Sequence, residues 1–127
     1  MGLTARTAAF VIGVVFLIVG ALGYVANPIV GPTGLFLTNN LHNIVHIASG
    51  IVLLLGVYTG LGSSMALKIV GVIYGLVAIC GFFMVMDGMM FGVAINEADK
   101  WLHVVLAAVI LAAGFLLPAG DTAPAAA

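Results

Sequence analysis

Four long apolar stretches, at about 8–26, 41–59, 66–87 and 100–118, alternate along the chain with short segments that hold most of its polar residues. A membrane helix needs about 20 mostly apolar residues, so the pattern predicts four transmembrane helices in one all-α bundle over residues 1–118. The first link, Asn27 to Asn40, contains two prolines and two glycines and cannot continue a helix. It is long enough to lie across the mouth of the bundle. Gly60 to Ser64 is a short turn, which makes the second and third helices antiparallel neighbours. The third link, Gly88 to Ala98, stays apolar until Asn96, and the Ala/Pro-rich tail, 119–127, is expected to be disordered.

The polar residues repeat. Asn39-x2-His42-x3-His46 opens the second stretch, and Asn96-x2-Asp99-x3-His103 opens the fourth, 57 positions later. A shift of 58 lays Ala8 on Ala66, Gly13 on Gly71, Phe16 on Tyr74 and Gly23 on Gly81. The chain therefore reads as two tandem two-helix repeats. Because each unit crosses twice, both enter from the same side and relate by a two-fold axis along the membrane normal.

Composition agrees and narrows the classes. With 65% hydrophobic and 6% charged residues, and a mean hydropathy of +1.38, the chain lies far from the roughly 25% charge of soluble domains. A net charge of −1 offers no basic patch for nucleic acid. Arg6 and Lys68 fall on one side and Lys100 on the other, so the positive-inside rule places both termini in the cytoplasm. Trp101 then suits the far interface, with Lys100 snorkelling beside it. The first stretch begins after a basic residue, as a signal peptide would. Its length exceeds the about 7–15 residues of a signal core, and it is read as retained. The lone Cys80 lies among apolar residues and reads as packing. Gly71-x3-Gly75 offers a close helix contact, either within the bundle or in a homo-oligomer or larger membrane complex.

Every histidine lies in the two polar stretches. Residues four apart share a helix face, so His42 sits one turn outside His46 and Asp99 one turn outside His103. Symmetry would set His46 and His103 across the axis, with His42 and Asp99 nearer water. Asn39 and Asn96 read as helix N-caps. Ionisable groups inside membrane segments are functional-site hypotheses by default, and four readings compete. The first is a structural lock, in which His46 and His103 hydrogen-bond across the bundle. The second is a metal site of His42, His46, Asp99 and His103, four ligands as zinc prefers; Met84, Met86, Met89 and Met90 nearby bring copper into view, since thioethers select Cu(I). The third is haem held by two histidines, which no second motif supports. The fourth is a proton relay, which the unbroken helix interiors do not favour. No catalytic motif accompanies Ser49, Ser63 or Ser64, so an enzyme is not expected.

Three blocks, Gly13 to Gly23, Leu41-His-Asn-Ile-Val-His46 and Asn96-Glu-Ala-Asp-Lys-Trp-Leu-His103, resemble a bacterial four-helix membrane family known only as domain of unknown function 4383. Lys100 stands where that family usually has Asn. The resemblance implies a four-helix membrane fold and the bacterial inner membrane, and it supplies no activity. The expectation is thus a non-enzymatic structural or accessory protein whose cluster ties the repeats together and binds a metal, zinc or copper. The alternative is a haem- or proton-handling redox or transport subunit using the same histidines.

Overall fold

In a computed structural model that describes residues 2–121, the chain forms α1 (Ala5–Leu22), α2 (Asn40–Tyr58), α3 (Ser63–Phe83) and α4 (Glu97–Leu116). All four helices are long and apolar enough to cross a membrane. This is the architecture of a multi-pass membrane protein. Two short β-pairs sit in the long links: β1 (Val30–Gly31) with β2 (Phe36–Leu37), and β3 (Met89–Met90) with β4 (Val93–Ala94).

Hydropathy located the helices, but capping chemistry sets their ends. Thr4 accepts the Thr7 N–H at 3.2 Å and starts α1 several residues before the apolar run. Asn39 and Asn96 accept the His42 and Asp99 amides at 3.0 Å, which bears out both N-caps. Helix α3 has no cap of its own, because its N-cap position is Gly62. Its amide donor at Ser63 is met by Asp121 Oδ2, 58 residues on, at 3.0 Å, while the Ser63 hydroxyl donates to Oδ1 at 2.6 Å. Pro118 and Ala119 carbonyls likewise accept the Ala5 and Arg6 amides, at 2.8 and 3.0 Å. The tail expected to be disordered from Ala119 is therefore held through Asp121, and 122–127 lie outside the described residues.

Small residues let the helices approach closely around a core that also holds Phe16, Leu53, Leu67, Tyr74 and Ile110. Helices in lipid associate by close packing rather than by expelling water, and α1 meets α2 where a methyl group on Gly13 would lie 3.2 Å from the Gly50 carbonyl. A Cβ on Gly71 would lie 2.8 Å from Leu111, whereas Gly75 has its nearest neighbour at 4.0 Å. Only the first glycine of Gly71-x3-Gly75 marks a tight crossing. Large apolar residues such as Ile18, Leu76, Ile79 and Phe115 point outward, as lipid contact requires.

Buried positions recur at the spacing seen in the sequence. Ala5, Ala8, Ala9, Gly13, Phe16 and Gly20 are buried in α1, and so is each residue 58 positions on, from Ser63 to Ala78. His42, His46, Gly50, Leu53, Gly56 and Val57 are buried in α2, and so is each residue 57 positions on, from Asp99 to Gly114.

A three-histidine centre at the loop end of the bundle

Both long links fold over the same end of the bundle, and each covers the other half's helix. Strand β2 packs on α4 and β4 packs on α2. The capping asparagines make this exchange specific: Asn39 Nδ2 donates to the Gly92 carbonyl at 2.9 Å, and Asn96 Nδ2 donates to the Leu35 carbonyl at 3.0 Å. Donor and acceptor are each displaced by 57 positions between the two bonds. One side chain thus starts a helix and pins the opposite loop.

Beneath the loops the three histidines converge. Ring centroids lie 4.7 Å apart for His42 and His46, and 5.7 Å apart for His42 and His103. One ring nitrogen from each falls within a group spanning no more than 4.8 Å. All three rings are buried. Phe16 packs edge-on to His46 at 5.7 Å, and Tyr74 packs edge-on to His103 at 5.8 Å, again as counterparts. The Tyr74 hydroxyl lies 3.1 Å from the Ser49 hydroxyl, which donates to the Val45 carbonyl at 2.8 Å.

Hydrogen bonding sorts the ring nitrogens. A carbonyl oxygen only accepts, so His42 Nδ1, 2.7 Å from the Ala94 carbonyl, carries the proton. Its Nε2 keeps a lone pair. His46 and His103 differ, since each leaves a buried Nδ1 with no partner among the described residues. Nor does any hydrogen bond join these two rings among the described residues, contrary to the expectation of a direct lock between them. Buried polar atoms are nearly always satisfied, and two orphans in one cluster call for an explanation.

Asp99 stands apart. It is 2% exposed, and its Oδ2 accepts the Asn96 amide at 2.9 Å, closing a capping box. The four-residue set expected from spacing becomes three histidines in one group, with Asp99 outside it. Nor do His42 and Asp99 face water, because the exchanged loops seal both. Asp99 does line a cavity of about 190 Å³ with His46, His103 and Thr38. A second cavity of about 200 Å³ is lined by His42, His103, Tyr74 and Met90.

Sequence reasoning missed Tyr74, Ala94, Thr38 and Asn43. Thr38 and Asn43 are fully buried, and each leaves an oxygen unpartnered among the described residues. Asn43 lies so close over Gly23 that any side chain there would collide with it. Its position one residue after His42 was the available signal.

Against known proteins, a family model described as Domain of unknown function (DUF4383) matches residues 6–116, nearly the whole chain. The chain belongs to the DUF4383 family. No curated protein and no solved structure matches it. Membership agrees with the resemblance carried by the three sequence blocks, and it leaves the chemistry of this DUF4383 protein to be argued from its own residues.

Proposed function

We propose that this DUF4383 protein is a non-enzymatic protein of the bacterial cell membrane in which His42, His46 and His103 hold one transition-metal ion, tying two tandem repeats together at the outer face. The observation that carries the reading is the pair of buried, unpartnered Nδ1 atoms beside a third imidazole whose free nitrogen is fixed by Ala94. Imidazole suits zinc, copper, iron and nickel. Tetrahedral zinc, with bonds of about 2.0–2.1 Å, sets nitrogens about 3.3 Å apart. Closing a group that spans at most 4.8 Å to that spacing asks for modest ring rotations, which the adjoining cavities accommodate. Three protein ligands leave one position open, and the carbonyl of Ala94 orients His42 as outer-shell partners of metal-bound histidines do.

Duplication is supported by the matched burial at 57 and 58 positions and by the exchanged Asn39 and Asn96 bonds. Arg6 and Lys68 at the opposite end support cytoplasmic termini. Haem fits poorly. Ligand pockets for drug-sized molecules run to about 300–1,000 Å³, the two cavities hold about 190 and 200 Å³, and the rings pack against one another with no slot between them.

The test is elemental analysis of detergent-purified protein beside a His46→Ala/His103→Ala variant, with helicity checked by circular dichroism. One ion per chain in the wild type and none in the variant is expected. Metal-free protein after growth and reconstitution with zinc and copper sinks the proposal.

A further inference from the structure

The third link holds a feature that the three-histidine reading does not use. Met86 and Met89 exchange both backbone hydrogen bonds, at 2.9 and 3.0 Å, across a tight turn at Asp87-Gly88. Both central residues have positive φ, 53° and 75°, as two-residue hairpin turns of the I′ type require. Residues directly opposite in such a pair project to the same face. Two thioethers therefore stand side by side, 77% and 45% exposed, at the mouth of the bundle. A methionine pair set side by side on an outward hairpin presents two soft sulfur donors at one spot.

The next residue inward adds a third. Met90 is only 5% exposed and shares the 200 Å³ cavity with His42 and His103. The hairpin is also tied to the start of α2, because Asn39 Nδ2 lies 3.9 Å from the Met89 sulfur and 2.9 Å from the Gly92 carbonyl. Sulfur donors thus run from the exposed hairpin to the back of the histidine cluster, over a backbone stiffened by two positive-φ turns, Asp87-Gly88 and Phe91-Gly92. Thioethers are soft donors that suit Cu(I), whereas zinc takes thiolate, imidazole and carboxylate ligands.

We propose that the Met86/Met89 hairpin captures Cu(I) and passes it by way of Met90 to the three-histidine centre. This rests on the metal reading above and adds to it the identity of the ion and its route. Transfer is ligand exchange only: copper stays Cu(I), thioether bonds break as imidazole bonds form, and no electron moves.

The test uses the full chain in lipid nanodiscs, without oxygen, taking Cu(I) from a chromophoric chelator. Leucine is the control side chain because Met-to-Leu swaps conserve volume and are well tolerated. Met86→Leu/Met89→Leu/Met90→Leu is expected to slow Cu(I) uptake at least ten-fold, while the final stoichiometry and the rate of Zn²⁺ uptake stay at wild-type values. His46→Ala/His103→Ala is expected to show a sulfur-dominated X-ray absorption shell only while excess Cu(I) is present, and to give the ion up on desalting. Equal Cu(I) rates in wild type and the leucine variant, or an equal slowing of Zn²⁺, overturns the route. Wild type that takes Zn²⁺ but not Cu(I) overturns the route and leaves the three-histidine centre standing; wild type that takes neither overturns both.

Discussion

Replacing Asn39 tests whether the two halves are held by exchanged loops. Its side chain makes three bonds to backbone: it accepts the His42 amide at 3.0 Å, accepts the Ala94 amide at 3.3 Å and donates to the Gly92 carbonyl at 2.9 Å. Removing a helix cap costs about 1 kcal/mol. Hydrogen bonds between membrane helices average about 0.6 kcal/mol, and stranding the buried Ala94 amide moves its loss toward about 1 kcal/mol. Asn39→Ala should therefore lose about 2–3 kcal/mol. Asn39→Ser keeps a capping oxygen but cannot reach the loop, so it should lose about 1–2 kcal/mol. The same serine variant frees the strand whose Ala94 carbonyl orients His42, and loss of such outer-shell partners weakens metal binding by about 10–100-fold. Unfolding by SDS titration, followed by the fluorescence of Trp101 against Phe82 at 5.2 Å, measures the first quantity; competition with a metal chelator measures the second. If Asn39→Ser matches wild type in both, the loop exchange is geometry without energetic consequence and does not hold the two halves together.

The remaining predictions are simpler. Gly23→Ala should destabilise by about 1–3 kcal/mol through overpacking against Asn43, and Asn43→Ala should restore part of the loss. Gly60→Ala, which meets nothing within 4 Å, serves as the neutral control in the same unfolding assay. Asp121→Ala should cost about 1–2 kcal/mol by uncapping α3 at Ser63, and a shift no larger than that of the Gly60 control would show the clasp idle. Metal at 100 times its Kd should stabilise the wild type by about 2.7 kcal/mol and leave the His46→Ala/His103→Ala variant unmoved. Acidification should strip the ion, because imidazolium has no lone pair to donate; occupancy that stays flat from neutral pH into the acid range argues against histidine ligation.

Much of the fold was legible because lipid imposes a simple rule on composition. A helix whose surroundings are hydrocarbon must be apolar all round, so hydropathy found each span, and the rarity of polar residues drew attention to Asn39, His42, His46, Asn96, Asp99 and His103. Span ends were less legible. Sequence placed α1 at about 8–26 and α3 at about 66–87, where the structure has Ala5–Leu22 and Ser63–Phe83, because Thr4 and the distant Asp121 satisfy the first amides. No local signal in Gly62-Ser63 reveals a cap that arrives from 58 residues away.

What the sequence by itself determined is the number of spans, the recurrence of one polar motif in each half, and the end of the bundle at which that motif lies. Helical period and hydropathy are local properties, so they survive without coordinates. Only the tertiary structure decided which members of the motif meet. Spacing treated His42 and Asp99 as equals, yet Asp99 turned back to cap its own helix while His42 swung under the Ala94 carbonyl of the third link. The reason is that the Asp99 carboxylate finds the Asn96 amide at the start of its own helix, whereas the His42 N–H meets a carbonyl that the third link brings over from the far side of the sequence.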